Sequence, residues 1–511
     1  LRRLREPDVA LAFFAEYPVL ARQLVTKVHQ TSAALVEILT HLVADWVDLA
    51  SRFADNGELG PLVAVEIGAG DTHRDGRAVA ILRFAADRRI VYKPRSLAID
   101  VHFQTLLTWL NEQGAAPPFR ILTVLDRGTY GWIEFVATAP CANTAELERF
   151  YTRQGGYLAL IHLLSAADFH FENLIAAGEH PMLIDLEALF HPDIMEYDPG
   201  KPGELAQQAL DGSVLSIGML PQRLRFHADA ATIDISGLGA AGTQLTPDKL
   251  PVWEGVGTDE MHLTRRHIEF RSDGHRPALA DQEVDVRHYG GAVAQGFAQI
   301  YRLLLRHRDA LLAADGPLAH FAAAEMRVVA RATRTYSLLL QESTHPDLLR
   351  NALERDRLYG RLWRDVAVSP RLARLVPSER RDLHNGDVPI FHTHPAATSL
   401  WDSRGVEIPE FLPECGLDRV RHRIDAMGEA DLARQLWYIH ASFATIDGDN
   451  SHHQAATATA THGGLAVGEA MLDATSTATF VLQARTLGEQ LAGLAHRYQE
   501  HAVWIGLGLD A

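Results

Sequence analysis

The stretch Asp168–Phe190, DFHFENLIAAGEHPMLIDLEALF, decides how the rest of the chain is read. An apolar run, Tyr157 to Leu164, leads into Asp168, His170 and Asn173. A turn with Gly178 and Pro181 follows, and the apolar strand Met182–Ile184 then delivers Asp185 and Glu187. These residue types supply what phosphoryl transfer from a nucleotide needs. One aspartate serves the attacking hydroxyl, while the asparagine and the second aspartate hold the metal that neutralises the phosphates. Asp-x4-Asn alone recurs by chance. Followed by a turn and an apolar strand ending in Asp-x-Glu, it is more specific. The competing reading is a polar loop and a solvated strand end.

Protein kinases keep the same order of catalytic Asp, Asn and metal-binding Asp. This chain differs by placing His170 between the first two and by reading IDLE in place of DFG. Upstream, Leu62–Ile67 predicts a strand that ends in GAGDTHRDGR, followed by strands Val79–Phe84 and Ile90–Lys93. Gly68, Gly70 and Gly76 would let backbone N–H groups approach phosphate oxygens, or serve an ordinary hairpin. Lys93, in VYKPRS, is costly to bury unless an anion meets it: an ATP phosphate, or a carboxylate such as Asp71. An amphipathic helix over 99–113 and strands Ile121–Val124 and Tyr130–Val136 complete a five-strand-plus-helix inventory. Glu134-Phe135-Val136 stands where a kinase-like fold places its hinge and adenine contacts.

Residues 5–54 show the three-and-four spacing of helices through Phe14, Tyr17, Leu20, Leu24 and Val28, continued by Leu35, Ile38, Leu39, Leu42 and Val43. After Phe190, HPDIMEYDPGKPGE reads as a long loop. Helices are expected over 289–315 and 318–342, the second bringing Arg327, Arg331 and Arg334 onto one face near Thr333, a cluster suited to a phosphate. HNGDVPIFHTHP reads as a loop along a cleft or a structural turn, and 446–464 as a polar linker carrying His452 and His453. A last helix is expected to end at Trp504.

At 511 residues the chain exceeds one ordinary core. Apolar content of 47% and charged content of 22% are those of a soluble globular enzyme. A formal charge of -17 without a basic stripe argues against nucleic-acid binding. Cys141 and Cys415 alone make no disulfide scaffold and fit a reducing cytoplasm. The 26 histidines are scattered without a zinc-ligand spacing, and no apolar run reaches membrane-spanning length.

GDTHRDGR, VYKPRS, YGWIEFV, DFHFENLIA, LIDLEALF, RATRTYSLLL and GDVPIF, in this order, closely resemble the dehydratase domain of class II lanthipeptide synthetases, the LanM family. The resemblance runs from the N-terminal helices to QLWYIHASF at 435–443. It implies an α+β, kinase-like (lipid-kinase-like) two-lobed fold with additional helical elements. The expected parts are a helical region 1–55, a small β-rich lobe 56–140, a large helical lobe 141–445, and 446–511 as linker and helix leading toward an absent cyclase domain. It further implies a cytoplasmic enzyme that uses ATP and Mg2+ to phosphorylate Ser and Thr of a ribosomal precursor peptide, then eliminates the phosphate to leave dehydroalanine or dehydrobutyrine. Zinc would belong only to the cyclase domain, whose ligands this chain lacks. A start without Met and an end at VWIGLGL suggest an excised dehydratase part or a stand-alone one.

The resemblance assigns Lys93 to the ATP phosphates, with Asp71 and His73 beside it. Asp168 would deprotonate or orient the substrate hydroxyl, with His170 near the transferring phosphate. Asn173 and Asp185 would bind Mg2+, with Glu187 adjacent. Arg327 and Thr333 match positions tied to elimination, for which Lys93 or Asp168 would take the α-proton. The competing functions are a peptide kinase without elimination and a non-catalytic module that binds the leader peptide.

Overall fold

The computed structural model describes residues 3–54, 57–68, 70–194, 197–198, 200–224, 232–280, 282–447 and 477–505. It is a mixed α+β structure. Helices α1 (Pro7–Glu16) and α2 (Pro18–Phe53) cover the N-terminal region, and each starts on a proline, whose missing N–H is no loss in a first turn. The packed face of α2 is only partly the one expected. Ala34, Ile38, Leu42 and Leu49 are buried, but Leu24, Val28, Leu35, Leu39 and Val43 are exposed. The helix carries more apolar residues than the single face in contact with the sheet can cover.

That sheet has five antiparallel strands in the order β1-β2-β3-β5-β4. They are β1 (Leu62–Ile67), β2 (Ala80–Phe84), β3 (Arg89–Lys93), β4 (Val124–Asp126) and β5 (Gly131–Glu134), with helix α3 (Ala98–Glu112) between β3 and β4. The two-residue period sorts the side chains. Ala80, Leu82, Phe84, Tyr92 and Trp132 pack against Ile38, Leu42 and Leu49 of α2. Ile81, Val91 and Ile133, one residue out of step, line a cavity on the opposite face. The sheet thus buries one face against α2 and turns the other to the cavity.

Helix α4 (Thr144–Leu163) is capped by the Asn143 side chain, which accepts from Glu146 N–H at 3.0 Å, and is buried without interruption from Phe150 to Leu163. The hairpin β6 (Leu174–Ala177) and β7 (His180–Leu183) follows. The segment after Phe190, expected as loop throughout, enters helix α5 (Pro202–Asp211) at Pro202. The regions 242–254 and 262–272 form two short ladders. The helix expected over 289–315 ends at Arg306, before a short helix Arg308–Leu312; α6 (Gly290–Arg306) buries Val293, Phe297, Ile300, Leu303 and Leu304 as expected and packs on α4. The axes come close because glycines sit at the crossing. A Cβ at Gly155 would lie 1.9 Å from the Val293 carbonyl oxygen, and one at Gly296 1.8 Å from that of Thr152.

Two expectations fail. Residues 318–342 are not one helix: a short turn Ala319–Ala323 leads to the strand Met326–Val328, which pairs with Phe391–Thr393, and only then does a helix, Thr333–Glu342, begin. Met326 and Val328 are buried on either side of Arg327, a strand alternation that overrides the apparent helical spacing. The chain before Trp504 is a hairpin, His496–Tyr498 with His501–Val503, following a helix that ends at Leu494. His452 and His453 lie outside the described residues. Among those described, no helix is long and apolar enough to cross a membrane.

Candidate functional site

One cavity of about 660 Å³ gathers the ten residues to which the resemblance gives a role: Asp71, His73, Lys93, Asp168, His170, Asn173, Asp185, Glu187, Arg327 and Thr333. That volume is within the usual range for a small-molecule site. Val91 and Ile133 of the sheet cluster with Leu122, Val136, Ile175 and Ile184 as an apolar part of the lining, and the charged groups supply the rest.

Asp168 reaches the cavity because its neighbours hold the backbone turned. Phe169 is 1% exposed in the core, and the N–H groups of Ala167 and Phe169 donate to Ala188 and Ile217. Asp168 itself adopts φ 68, a left-handed conformation that Asp tolerates better than most residues. Asn173 Nδ2 donates to the Asp168 carbonyl at 2.6 Å, which fixes the amide and leaves its Oδ1 as an acceptor. His170 Nδ1 accepts from Glu172 N–H at 3.2 Å, so the ring proton belongs on Nε2, 3.5 Å from Asp168 Oδ1. Burial raises the Asp168 carboxyl above the usual range, although His170 and Arg327 oppose it. A raised carboxylate is a better proton acceptor.

Leu186, Leu189 and Phe190 are core residues, which turns Asp185 and Glu187 to the cavity. Lys93, 6% exposed, donates to the Ile184 carbonyl at 2.7 Å and stands 4.0 Å from both Asp100 Oδ1 and Asp185 Oδ1. Its carboxylate partners are therefore Asp100 and Asp185, not Asp71. Asp100 was not singled out from the sequence. Its place in the first turn of α3, seven residues after Lys93, was the available signal.

The Gly76 turn is held by protein, not offered to a phosphate. Arg74, Asp75 and Gly76 all have positive φ, and Asp387 accepts from the N–H groups of Asp75 and Gly76 at 2.8 and 3.1 Å. A Cβ at Gly76 would lie 2.7 Å from Gln30 Cβ of α2. Of the glycines in question, Gly70 lines the cavity. The GDVPIF segment fixes the turn and also His73, whose Nδ1 donates to Val388 O at 2.6 Å. Burial, reinforced by Arg327, lowers the His73 pKa. The neutral ring is favoured, with its lone pair on Nε2 because Nδ1 is the donor.

Arg327 comes from the far side of the chain. Its backbone N–H donates to Glu187 O at 2.7 Å, its Nη1 to Glu187 Oε1 at 2.7 Å and its Nη2 to Thr333 Oγ1 at 3.3 Å. Arg331 and Arg334 do not join it. Arg331 pairs with Glu379 and Asp365, and Arg334 with Asp248. The expected three-arginine face does not exist, because Arg327 belongs to a strand. Burial would push the Glu187 carboxyl up, but Arg327 and Arg95 outweigh it and hold the pKa at about 2.

The donors suit Mg2+. Asp185 Oδ2, Asn173 Oδ1 and Glu187 are hard oxygens, and one or two carboxylates completed by phosphate oxygens and water is the ordinary magnesium arrangement. Among the described residues no group of three or more His, Cys, Asp or Glu is gathered to hold a metal unaided.

A family model described as "Domain of unknown function (DUF4135)" matches residues 17–394. The chain is also 26% identical over 296 residues to the "Lacticin 481/lactococcin biosynthesis protein LcnDR2" of Lactococcus lactis subsp. lactis, a match covering 54% of this chain and 30% of that protein. The chain thus spans under a third of the length of that curated relative.

Proposed function

We propose, from the premise that this chain belongs to the DUF4135 family, that it is a peptide dehydratase of lanthipeptide maturation, with an ATP site between a kinase-like small lobe and a larger helical lobe. The similarity to a lacticin biosynthesis protein supports the substrate class. The observation that carries the reading is Arg327 paired with Glu187 in the same cavity as Lys93, Asp168, Asn173 and Asp185.

Mg2+, when bound with ATP, supplies charge neutralisation of the phosphates. Asn173 and Asp185 would hold it, with Glu187 adjacent. Lys93 steadies the nucleotide phosphates, and the apolar part of the lining receives the base beside Glu134–Val136. Asp168 takes the proton of a Ser or Thr hydroxyl as that oxygen bonds to the γ-phosphorus and ADP departs. In the second step a base removes the α-proton, the Cα–H electrons become the Cα=Cβ bond, and the Cβ–O bond breaks to release phosphate. Arg327, permanently charged and forked, meets the leaving phosphate with Thr333 beside it. The geometry favours Asp168 or His73 Nε2 as the base over Lys93, which is held between the Asp100 and Asp185 carboxylates.

The test is an Arg327→Ala variant co-expressed with the neighbouring precursor peptide and read by mass spectrometry. The expected product gains about 80 Da per modified site, the phosphoryl group added by transfer and retained when elimination fails. Normal dehydration, or peptide without phosphate, overturns the reading. Wild-type protein that leaves phosphate on the peptide would make it a kinase alone.

A further inference from the structure

Arg95 was not singled out from the sequence, although it follows Lys93 by two residues and faces the same cavity. Its guanidinium, 14% exposed, meets three carboxylates. Nη1 donates to Asp100 Oδ2 at 2.9 Å, Nη2 to Asp185 Oδ1 at 3.4 Å, and Nε stands 3.5 Å from Glu187 Oε2. Among the described residues, Arg95 is the cation within ion-pair distance of both Asp185 and Glu187. Lys93 reaches Asp185 but not Glu187, and Arg327 reaches Glu187 but not Asp185.

The three contacts differ in kind. Asp100 is 1% exposed, close and fixed in α3, and it anchors the arginine together with the Ser96 carbonyl, which also accepts from Nη1 at 2.9 Å. Asp185 is 35% exposed in its side chain and its contact with Arg95 is longer. Asp185 and Glu187 are also the two acids nearest the expected metal. A guanidinium and a divalent cation compete for the same carboxylate oxygens, and a guanidinium binds phosphate oxygens as readily as carboxylates.

We propose that Arg95 is a positioning residue serving as the exchangeable counter-ion of Asp185 and Glu187. In metal-free protein it neutralises both acids. When a magnesium nucleotide enters, the guanidinium, still tethered by Asp100, turns its free N–H groups to phosphate oxygens and releases the two carboxylates to the metal. Metal alone therefore binds weakly, and metal with nucleotide binds well. This rests on the nucleotide reading of the cavity.

The experiment uses the full chain, with Mn2+ as a spectroscopically visible metal and magnesium ADP as the nucleotide, and measures the affinity of each separately. Arg95→Gln is expected to bind Mn2+ alone more tightly and magnesium ADP more weakly, each on the order of tenfold, the common scale of coupling between two ligands. Arg95→Lys keeps the charge but cannot span both acids, so it shifts both affinities in the same directions by less. This variant decides the matter if Arg95→Gln does not fold. Unchanged, weaker or absent Mn2+ binding in the variants overturns the proposal and leaves Arg95 a brace. Wild-type protein that binds Mn2+ but not magnesium ADP overturns the nucleotide reading instead, while the Mn2+ comparison still decides the counter-ion role.

Discussion

The crossing of α4 and α6 and the cavity wall are built on opposite terms. At the crossing, Gly155 and Gly296 let two backbones touch, and Phe150, Tyr157, Val293 and Phe297 fill what remains. That packing is specified mainly by volume. At the wall, Lys93, Arg95 and Arg327 face Asp100, Asp185 and Glu187 with several contacts at 3.4–4.0 Å. That region is specified by charge balance, and its looser pairs leave groups that a ligand can recruit. The crossing should punish a change in size and the wall a change in charge.

Four substitutions test that contrast. Asp168→Asn preserves size and hydrogen bonding at the cavity mouth but removes the proton acceptor. Phosphoryl transfer to the peptide should fall by about 10²- to 10⁴-fold, the usual contribution of a general base, with an unchanged thermal midpoint. A parallel loss of stability would mean the wall is also a volume-specified region. Gly296→Val does the reverse. The added atoms cannot coexist with the Thr152 carbonyl, and urea unfolding should show a loss of about 3 kcal/mol or more, the upper range for overpacking.

Glu187→Gln removes the carboxylate between Arg95 and Arg327, both largely buried, and should cost about 3 kcal/mol at pH 7, as for breaking one partner of a buried pair. Its sign with pH follows from a folded pKa near 2, below the ordinary value of 4.5. The ionised form stabilises the native state above pH 4.5, and this contribution is lost as the pH falls toward 2. Urea midpoints of wild type and variant should therefore converge across that interval. A gap that stays constant would show that shape, not charge, is what Glu187 provides. The smallest effect belongs to neither region. Val43→Ser on the open face of α2, where Val43 is 76% exposed, should change stability by no more than about 0.5 kcal/mol. A larger loss would mean that this face is covered in solution.

Local chemistry made much of the molecule readable before any coordinates. Four of the five strands and α3 follow from alternation and punctuation, while the strand expected at Ile121–Val124 lies at Val124–Asp126; α6 follows from helical spacing, and the Asp168–Glu187 constellation from residue types at short separations, where the chain itself limits how far the groups can part. Reading failed where a local pattern had two solutions. Met326-Arg327-Val328 fits a helix face as well as a strand, and pairing with Phe391–Thr393, more than sixty residues away, selects the strand. The apolar positions of α2 could not reveal which of them would meet the sheet. Gly76 looked like a phosphate cradle until Asp387, which no local spacing connects to it, took its N–H.

By itself, then, the sequence determined most of the helices and strands and which side chains bring acid, amide and cation to one loop and strand end, because those depend on neighbours along the chain. Only the tertiary structure decided that Arg327 reaches Glu187, that Asp100 and Arg95 join Lys93, and that Arg331 and Arg334 do not. Those outcomes depend on distances between segments that sequence separation does not limit, and buried charges settle against whichever opposite charges packing brings within reach.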